Sequence, residues 1–265
     1  QINYGIKTGF NDAFIISTDK RNEILANCAT DEERKKTDEL IRPILRGRDI
    51  KRYSYDWANL WLIWIPWHFP LHLDDSIQGA SERAEKAFQE QYPAVYQHLL
   101  QYKPQLSSRN KAETGIRYEW YALQRWGANY WEEFSKPKIV YPNMTKYMPF
   151  VFDERGHITN QKCFIITGEN TAFLTAFLNS SLFKFCFRES FPELQGGTRE
   201  LSKIFFDKIP VFKIDSETEE HFSELVRDLQ RDYSVDKAKH VDKEVFELYR
   251  LSPEEQNIIG YIEIQ

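Results

Sequence analysis

The apolar sequence of this chain comes in short pieces, and that limits it to layered architectures. The most apolar window, residues 60–73, is cut by Pro66 and Pro70. It opens on Leu60-Trp-Leu-Ile-Trp-Ile, which fits a buried strand closed by Pro66. No window approaches the ~18 uncharged apolar residues that a membrane helix needs. Strands and helices this short bury their apolar faces only against one another.

Further short strands are expected at Ile2-Asn-Tyr and Ala13-Phe-Ile-Ile, around the turn residues Gly5 and Gly9, and at Lys138-Ile-Val-Tyr. Pro149-Phe-Val-Phe and Cys163-Phe-Ile-Ile-Thr are expected to pair as antiparallel strands joined around Gly156, and residues 201–214 read as strand interrupted at Pro210. Helical spacing predicts helices from Thr18 to about Asn27, over 31–41, over 80–91 and from Pro93 to Pro104. Another is predicted over 169–187, kinked at Asn179-Ser-Ser. Residues 105–125 lack periodicity and read as a long ordered loop with a short strand at Trp120-Tyr-Ala-Leu. A loop of that length inside a compact domain is commonly functional. From Ser216 the pattern is purely helical: Phe222, Leu225, Val226 and Leu229 share one face, and Ser252-Pro-Glu-Glu starts another helix. The expected class is α+β: a mixed, largely antiparallel sheet core with packed helices over residues 1–215, followed by a C-terminal helical segment over 216–265.

Charge follows the same boundary. The formal net charge is −5, but residues 216–265 hold 13 acidic and 6 basic side chains, against 27 acidic and 29 basic in the remainder. Acidity is a C-terminal property and leaves the rest of the chain able to meet phosphates. Two stretches are basic. Arg42, Arg46, Arg48, Lys51 and Arg52 have only Asp49 among them; Lys103, Arg109, Lys111, Arg117 and Arg125 face Glu113 and Glu119. In and beyond the second stretch lie Tyr118, Trp120, Tyr121, Trp126, Tyr130 and Trp131. Such aromatics either stack on bases while the cations meet phosphates, or pin the loop to the body. Cys28, Cys163 and Cys186 lie far apart, which argues against a disulfide framework and a cysteine-rich zinc site. Cys163 and Cys186 sit in apolar runs and read as core. With cysteines so spaced, the cytoplasm is the expected compartment; Gln1 opens directly into strand-like sequence, so no signal peptide is expected, and the missing initiator Met reads as an internal fragment or a trimmed chain.

Catalytic motifs are missing. There is no G-x-x-x-x-G-K-[ST], G-x-S-x-G or H-E-x-x-H. His68 and His72 are four apart, but Pro70 between them spoils the helix that would align them on a metal. The adjacent pairs Asp74-Asp75 and Glu132-Glu133 point their carboxylates apart. A methyltransferase would need a Gly-rich loop after its first strand and an Asn/Asp-Pro-Pro-aromatic tetrapeptide, and neither occurs. No catalytic residue, metal or cofactor is assigned to this chain.

Several segments, in order, carry a resemblance: Asn3-Tyr-Gly-Ile-Lys-Thr-Gly-Phe-Asn-Asp-Ala-Phe, Leu40-Ile-Arg-Pro-Ile-Leu-Arg-Gly-Arg-Asp-Ile-Lys-Arg-Tyr, Tyr92-Pro-Ala-Val-Tyr-Gln-His-Leu, Trp120-Tyr-Ala-Leu-Gln and Phe134-Ser-Lys-Pro-Lys-Ile-Val-Tyr-Pro-Asn. Phe173-Leu-Thr-Ala-Phe-Leu-Asn-Ser and Gly197-Thr-Arg-Glu-Leu-Ser-Lys-Ile-Phe-Phe-Asp-Lys-Ile-Pro-Val complete the set. Each is weak alone; the ordered set resembles the TaqI-like C-terminal specificity domain of type II restriction–modification methyltransferases over roughly residues 3–213.

The resemblance implies a division of labour. This chain would recognise a specific double-stranded DNA sequence and would not itself be an enzyme. An upstream methyltransferase domain, absent here, would bind S-adenosylmethionine and methylate adenine N6, and a fused nuclease, where present, would cut with Mg2+. On this footing Arg46, Arg48, Lys51 and Arg52 are expected to hold phosphates. Lys7 and Asn11 at the Gly9 turn are candidate DNA contacts, as are Arg109, Lys111, Arg117, Trp120 and Tyr121 in the loop, and Arg199 and Lys203 beyond Gly196-Gly197; asparagine suits adenine edges and arginine guanine edges. The acidic C-terminal helices are expected to face away from DNA or to meet the partner domains. The alternative is a cytosolic hydrolase using the aromatic loop as a platform and Glu119 with Glu132 or Glu133 as acid and base. A protein-interaction scaffold is a third reading.

Overall fold

The computed structural model describes residues 1–262. The chain divides into two compact units, neither continuous in sequence. The first gathers Gln1–Gly5, Arg46–Asp56 and the chain from Glu132 onward; the second holds Ile6–Leu45 and Trp57–Trp131. The class is α+β with largely antiparallel sheets.

In the first unit four strands form an antiparallel sheet in the order Ile2–Tyr4, Cys163–Ile166, Lys138–Pro142, Val151–Asp153. The expected hairpin around Gly156 does not form, because Val151–Asp153 and Cys163–Ile166 pair on opposite sides of Lys138–Pro142. The register supplies a reason. It sets Lys138 opposite Asp153, and their side chains make a fully buried ion pair at 2.5 Å. Asp153 also accepts the His157 backbone N–H at 3.0 Å and lies 2.8 Å from its Nδ1. Burial opposes ionisation of Asp153, but the His157 hydrogen bond and the Lys138 ammonium outweigh it and hold the carboxyl at about 2.

A carboxyl depressed in the folded state stabilises it above the unfolded value and loses that contribution as pH falls through the folded one. Urea titrations should therefore lose about 2 kcal/mol from this group between roughly pH 4 and pH 2. Asp153→Asn should decline more gently over that window. A variant that declines as steeply as wild type would show that the carboxylate does not govern it.

Helices cover this sheet. Thr171–Asn179 and Ser181–Phe187 are separate, with Ser180 accepting the Phe183 N–H at 3.1 Å, in line with the expected kink. Asn179 is buried and bonds both polar backbone groups of Phe150, at 2.7 and 3.1 Å. The acidic segment joins the same core: Ser216–Arg231 buries Phe222, Val226 and Leu229. Its Glu219 carboxylate accepts the N–H groups of Ala172 and Phe173 at 2.9 and 3.0 Å. Asn170, the N-cap of that helix, makes no side-chain cap of its own. A carboxylate there contributes about 1 kcal/mol through hydrogen bonds and the helix dipole.

Two further expectations fail in this unit. Residues 201–214 form a short helix, Lys203–Phe206, and then irregular chain instead of a strand. From the short helix Phe205 and Phe206, both partly buried, pack against the core. Cys186 is exposed rather than core, because Ser181–Phe187 buries only its first four residues.

In the second unit the expected strand at Leu60 is Leu60–Ile63, paired antiparallel with Ile15–Ser17 on one side and Ile41–Leu45 on the other. Thr18–Ala26, Asp31–Leu40, Glu82–Gln91, Pro93–Leu100 and Lys103–Ser108 are its helices of six residues or more. The core is aromatic, with Phe88 4.6 Å from Tyr121 and 5.5 Å from Phe69. Among the described residues no helix is long and apolar enough to cross a membrane.

Candidate nucleic-acid interface

The first unit carries the 46–52 cluster on a tight turn, Gly47–Asp49. The Asp49 carboxylate accepts the Arg46 backbone N–H at 2.8 Å and its guanidinium at 2.7 and 2.9 Å. Arg46 is thereby folded back on its own turn and Asp49 is buried and neutralised. Arg48 is left exposed, with no side-chain partner among the described residues, and Lys51 is exposed with Asp56 3.9 Å away. Arg52 turns inward: it donates to Asn179 O at 2.9 Å and to the Tyr261 hydroxyl at 3.0 Å, with Asp242 at 3.9 Å.

Arg199 is buried too, donating to Phe191 O at 2.7 Å and to Glu189 and Glu193. The structure thus gives Arg52 and Arg199 internal work in place of the DNA contacts expected of them. Lys203 is exposed but pairs with Asp207 at 2.7 Å. Lys162, which sequence reasoning passes over, is exposed beside the Gly47 turn. Its only signal in the sequence is a polar turn, Asn160-Gln-Lys, ahead of an apolar run.

The second unit is organised around Arg109. Its buried guanidinium donates to the carbonyls of Thr8, Trp120 (2.9 Å), Ala122 and Leu106 (3.2 Å), with its centre 5.2 Å from the Phe14 ring. Burial lowers its pKa to about 10, so it stays charged at neutral pH. Arg109 is a correction to the expected base contact: it ties the Gly9 turn to residues 120–122. The strand expected at Trp120 is absent; residues 120–122 instead turn two carbonyls, those of Trp120 and Ala122, onto the Arg109 guanidinium.

The loop aromatics are pins. Tyr121 is fully buried and donates to Phe69 O at 2.9 Å, and Trp120 donates to Glu85 at 2.7 Å. Tyr118 stacks on Trp67 at 4.8 Å. Trp120 and Tyr121 are therefore corrected to structural roles.

What remains outward-facing is a smaller set. Lys7 and Arg125 exchange backbone hydrogen bonds at 2.9 and 3.0 Å, which brings the half-buried Lys7 beside the exposed Arg125. Asn11 is exposed, and its side-chain oxygen accepts the Thr8 hydroxyl at 2.6 Å, which leaves its NH2 to donate outward. Lys111 is exposed, as is Arg117, 3.7 Å from Glu113. Arg125 belongs to the second basic stretch, and nothing in the sequence pairs it with Lys7; the fold does.

The hydrolase reading gains no support. Glu119 is 2% exposed and accepts the N–H groups of His68 and Ser81 at 2.7 and 2.9 Å, with His68 Nδ1 at 3.0 Å. It is held by these partners rather than presented in a cleft. Among the described residues no group of three or more His, Cys, Asp or Glu could hold a metal ion.

A family model described as the TaqI-like C-terminal specificity domain matches residues 42–211. Among solved structures, the chain is similar to the type IIL restriction–modification enzyme MmeI, determined in complex with DNA, with a TM-score of 0.58 and 14% identity. That likeness, one of fold alone, covers 98% of this chain and 34% of the MmeI chain, so this chain spans about a third of that enzyme. No curated protein matches.

Proposed function

Because the chain belongs to the TaqI-like C-terminal specificity domains, we propose that it reads a specific double-stranded DNA sequence for a restriction–modification enzyme. The family match over residues 42–211 carries this reading. The outward cations support it: Arg48 and Lys51 in the first unit, Lys7, Lys111, Arg117 and Arg125 in the second. Phosphate contacts fix register and orientation, and base edges supply sequence information. Asn11, with a free amide NH2 on a turn held by Arg109, suits the base-reading part.

Methylation of adenine N6 and any cleavage belong, in this reading, to domains outside this chain. S-adenosylmethionine and, where a nuclease is fused, Mg2+ would serve those other domains. No chemical step is assigned to this chain.

The experiment pairs binding with chemistry. Titrations on the parent enzyme's methylation site should bind more tightly than on a scrambled duplex, and labelled S-adenosylmethionine should transfer nothing. Arg48→Ala should lower the slope of log affinity against log salt by about 0.9 and weaken both duplexes alike. Equal affinity for both duplexes, or reproducible methyl transfer by the chain alone, would refute the reading.

A further inference from the structure

Resting on that reading of DNA recognition, we propose that Lys162 grips the DNA backbone together with Arg48, the two cations forming one phosphate clasp on the first unit. The proposal starts from how Lys162 is held. Residues 160–163 make a tight turn: the Cys163 N–H donates to Asn160 O at 2.9 Å and the Lys162 N–H to Asn160 Oδ1 at 3.2 Å. Gly5 presses on this turn from one segment. A Cβ there would lie 2.0 Å from Asn160 O and 2.7 Å from Thr159 O, and the Gly5 N–H bonds Cys163 O at 3.0 Å. Gly47 presses from another, where a Cβ would lie 3.2 Å from Lys162 O and 3.6 Å from Lys162 Cβ. A third segment donates the Asn143 N–H to Lys162 O at 2.8 Å.

Three stretches distant in sequence thus fix the backbone of Lys162, while its side chain stays exposed. The residue after Gly47 is Arg48, so the same close approach puts two exposed cations on adjoining turns. Asp49, the acid of that turn, is buried and closed by Arg46, so it does not cancel them. Chemistry favours phosphate over a base edge for Lys162. An ammonium is a compact charge with freely turning donors and no preferred plane. Such a group reads a repeating anionic backbone and does not discriminate bases.

Salt titrations of the 265-residue chain on its recognition duplex and on a scrambled one test this. Lys162→Ala should lower the log–log salt slope by about 0.9, and Arg48→Ala with Lys162→Ala by about 1.8. Both duplexes should weaken by the same factor. Lys162→Gln, which keeps the stem, should behave like the alanine variant, with thermal melts superimposing on wild type. Lys243→Ala, exposed on the helix Val235–Leu248, should leave the slope unchanged. If Lys162→Ala keeps the wild-type slope while Arg48→Ala lowers it, the clasp is wrong and DNA recognition stands. An equal fall for Lys243→Ala would reduce the effect to net charge and also overturn it. A wild-type chain with no salt-dependent binding to either duplex would overturn the DNA reading and the clasp together.

Discussion

Gly5→Ala is expected to destabilise the protein by more than about 3 kcal/mol. The added methyl would sit 2.0 Å from Asn160 O, 2.5 Å from its carbonyl carbon and 2.7 Å from Thr159 O. All three are backbone atoms, so no rotamer change relieves the clash. The end of Ile2–Tyr4 or the turn itself must move, and the Gly5 N–H···Cys163 O bond goes with it. Gly115→Ala is the internal control: nothing lies within 4 Å of its Cβ position, and only its φ of +81° is unfavourable. It should cost about 1 kcal/mol. Urea unfolding of both variants decides the matter; a Gly5→Ala midpoint no lower than that of Gly115→Ala would disprove the clash.

Arg109→Ala should cost about 3–5 kcal/mol, because it strips donors from the enclosed Thr8, Trp120 and Ala122 carbonyls and leaves a void against Phe14. Arg109→Lys should recover only part, since an ammonium cannot reach several carbonyls with a planar fork. Limited proteolysis should find new cuts within residues 109–125 in both variants. A direct DNA contact predicts the reverse pattern, an unchanged melt with a reduced salt slope. Observing that pattern would return Arg109 to the interface.

These two residues mark where sequence reading stops. The strand at Leu60, the helices from Thr18 and Pro93 and the amphipathic tail from Ser216 are legible because burial there follows the period of the element. Gly5 is legible as a turn residue, but not as a site of close approach, because the atoms it meets are backbone atoms of Thr159 and Asn160, far along the chain. Arg52, Arg109 and Arg199 look like surface cations for a related reason: their partners include carbonyls, which every residue has. Nor does spacing show that Lys138 faces Asp153, since that depends on which strand takes the middle of the sheet. Lys7, Asn11, Arg48, Lys51, Lys111, Arg117 and Arg125 are legible as charge or amide on turns and loop; the approach of Gly47 to Lys162 and the Lys7–Arg125 bridge are visible only in the fold.

The interleaved units have a consequence for synthesis. A ribosome delivers this chain from Ile2 onward, and Cys163–Ile166, the partner of Ile2–Tyr4, emerges about 160 residues later. At about 5–20 residues per second that is a delay of roughly 10–30 s. The second unit, complete at Trp131, can close during that interval. The opening strand cannot: its hydrogen-bonding edge stays bare until the rest of its sheet has been made. The strand Ile2–Tyr4 thus stays unpaired while the intervening 160 or so residues are made, a window in which chaperones would matter more than final stability does.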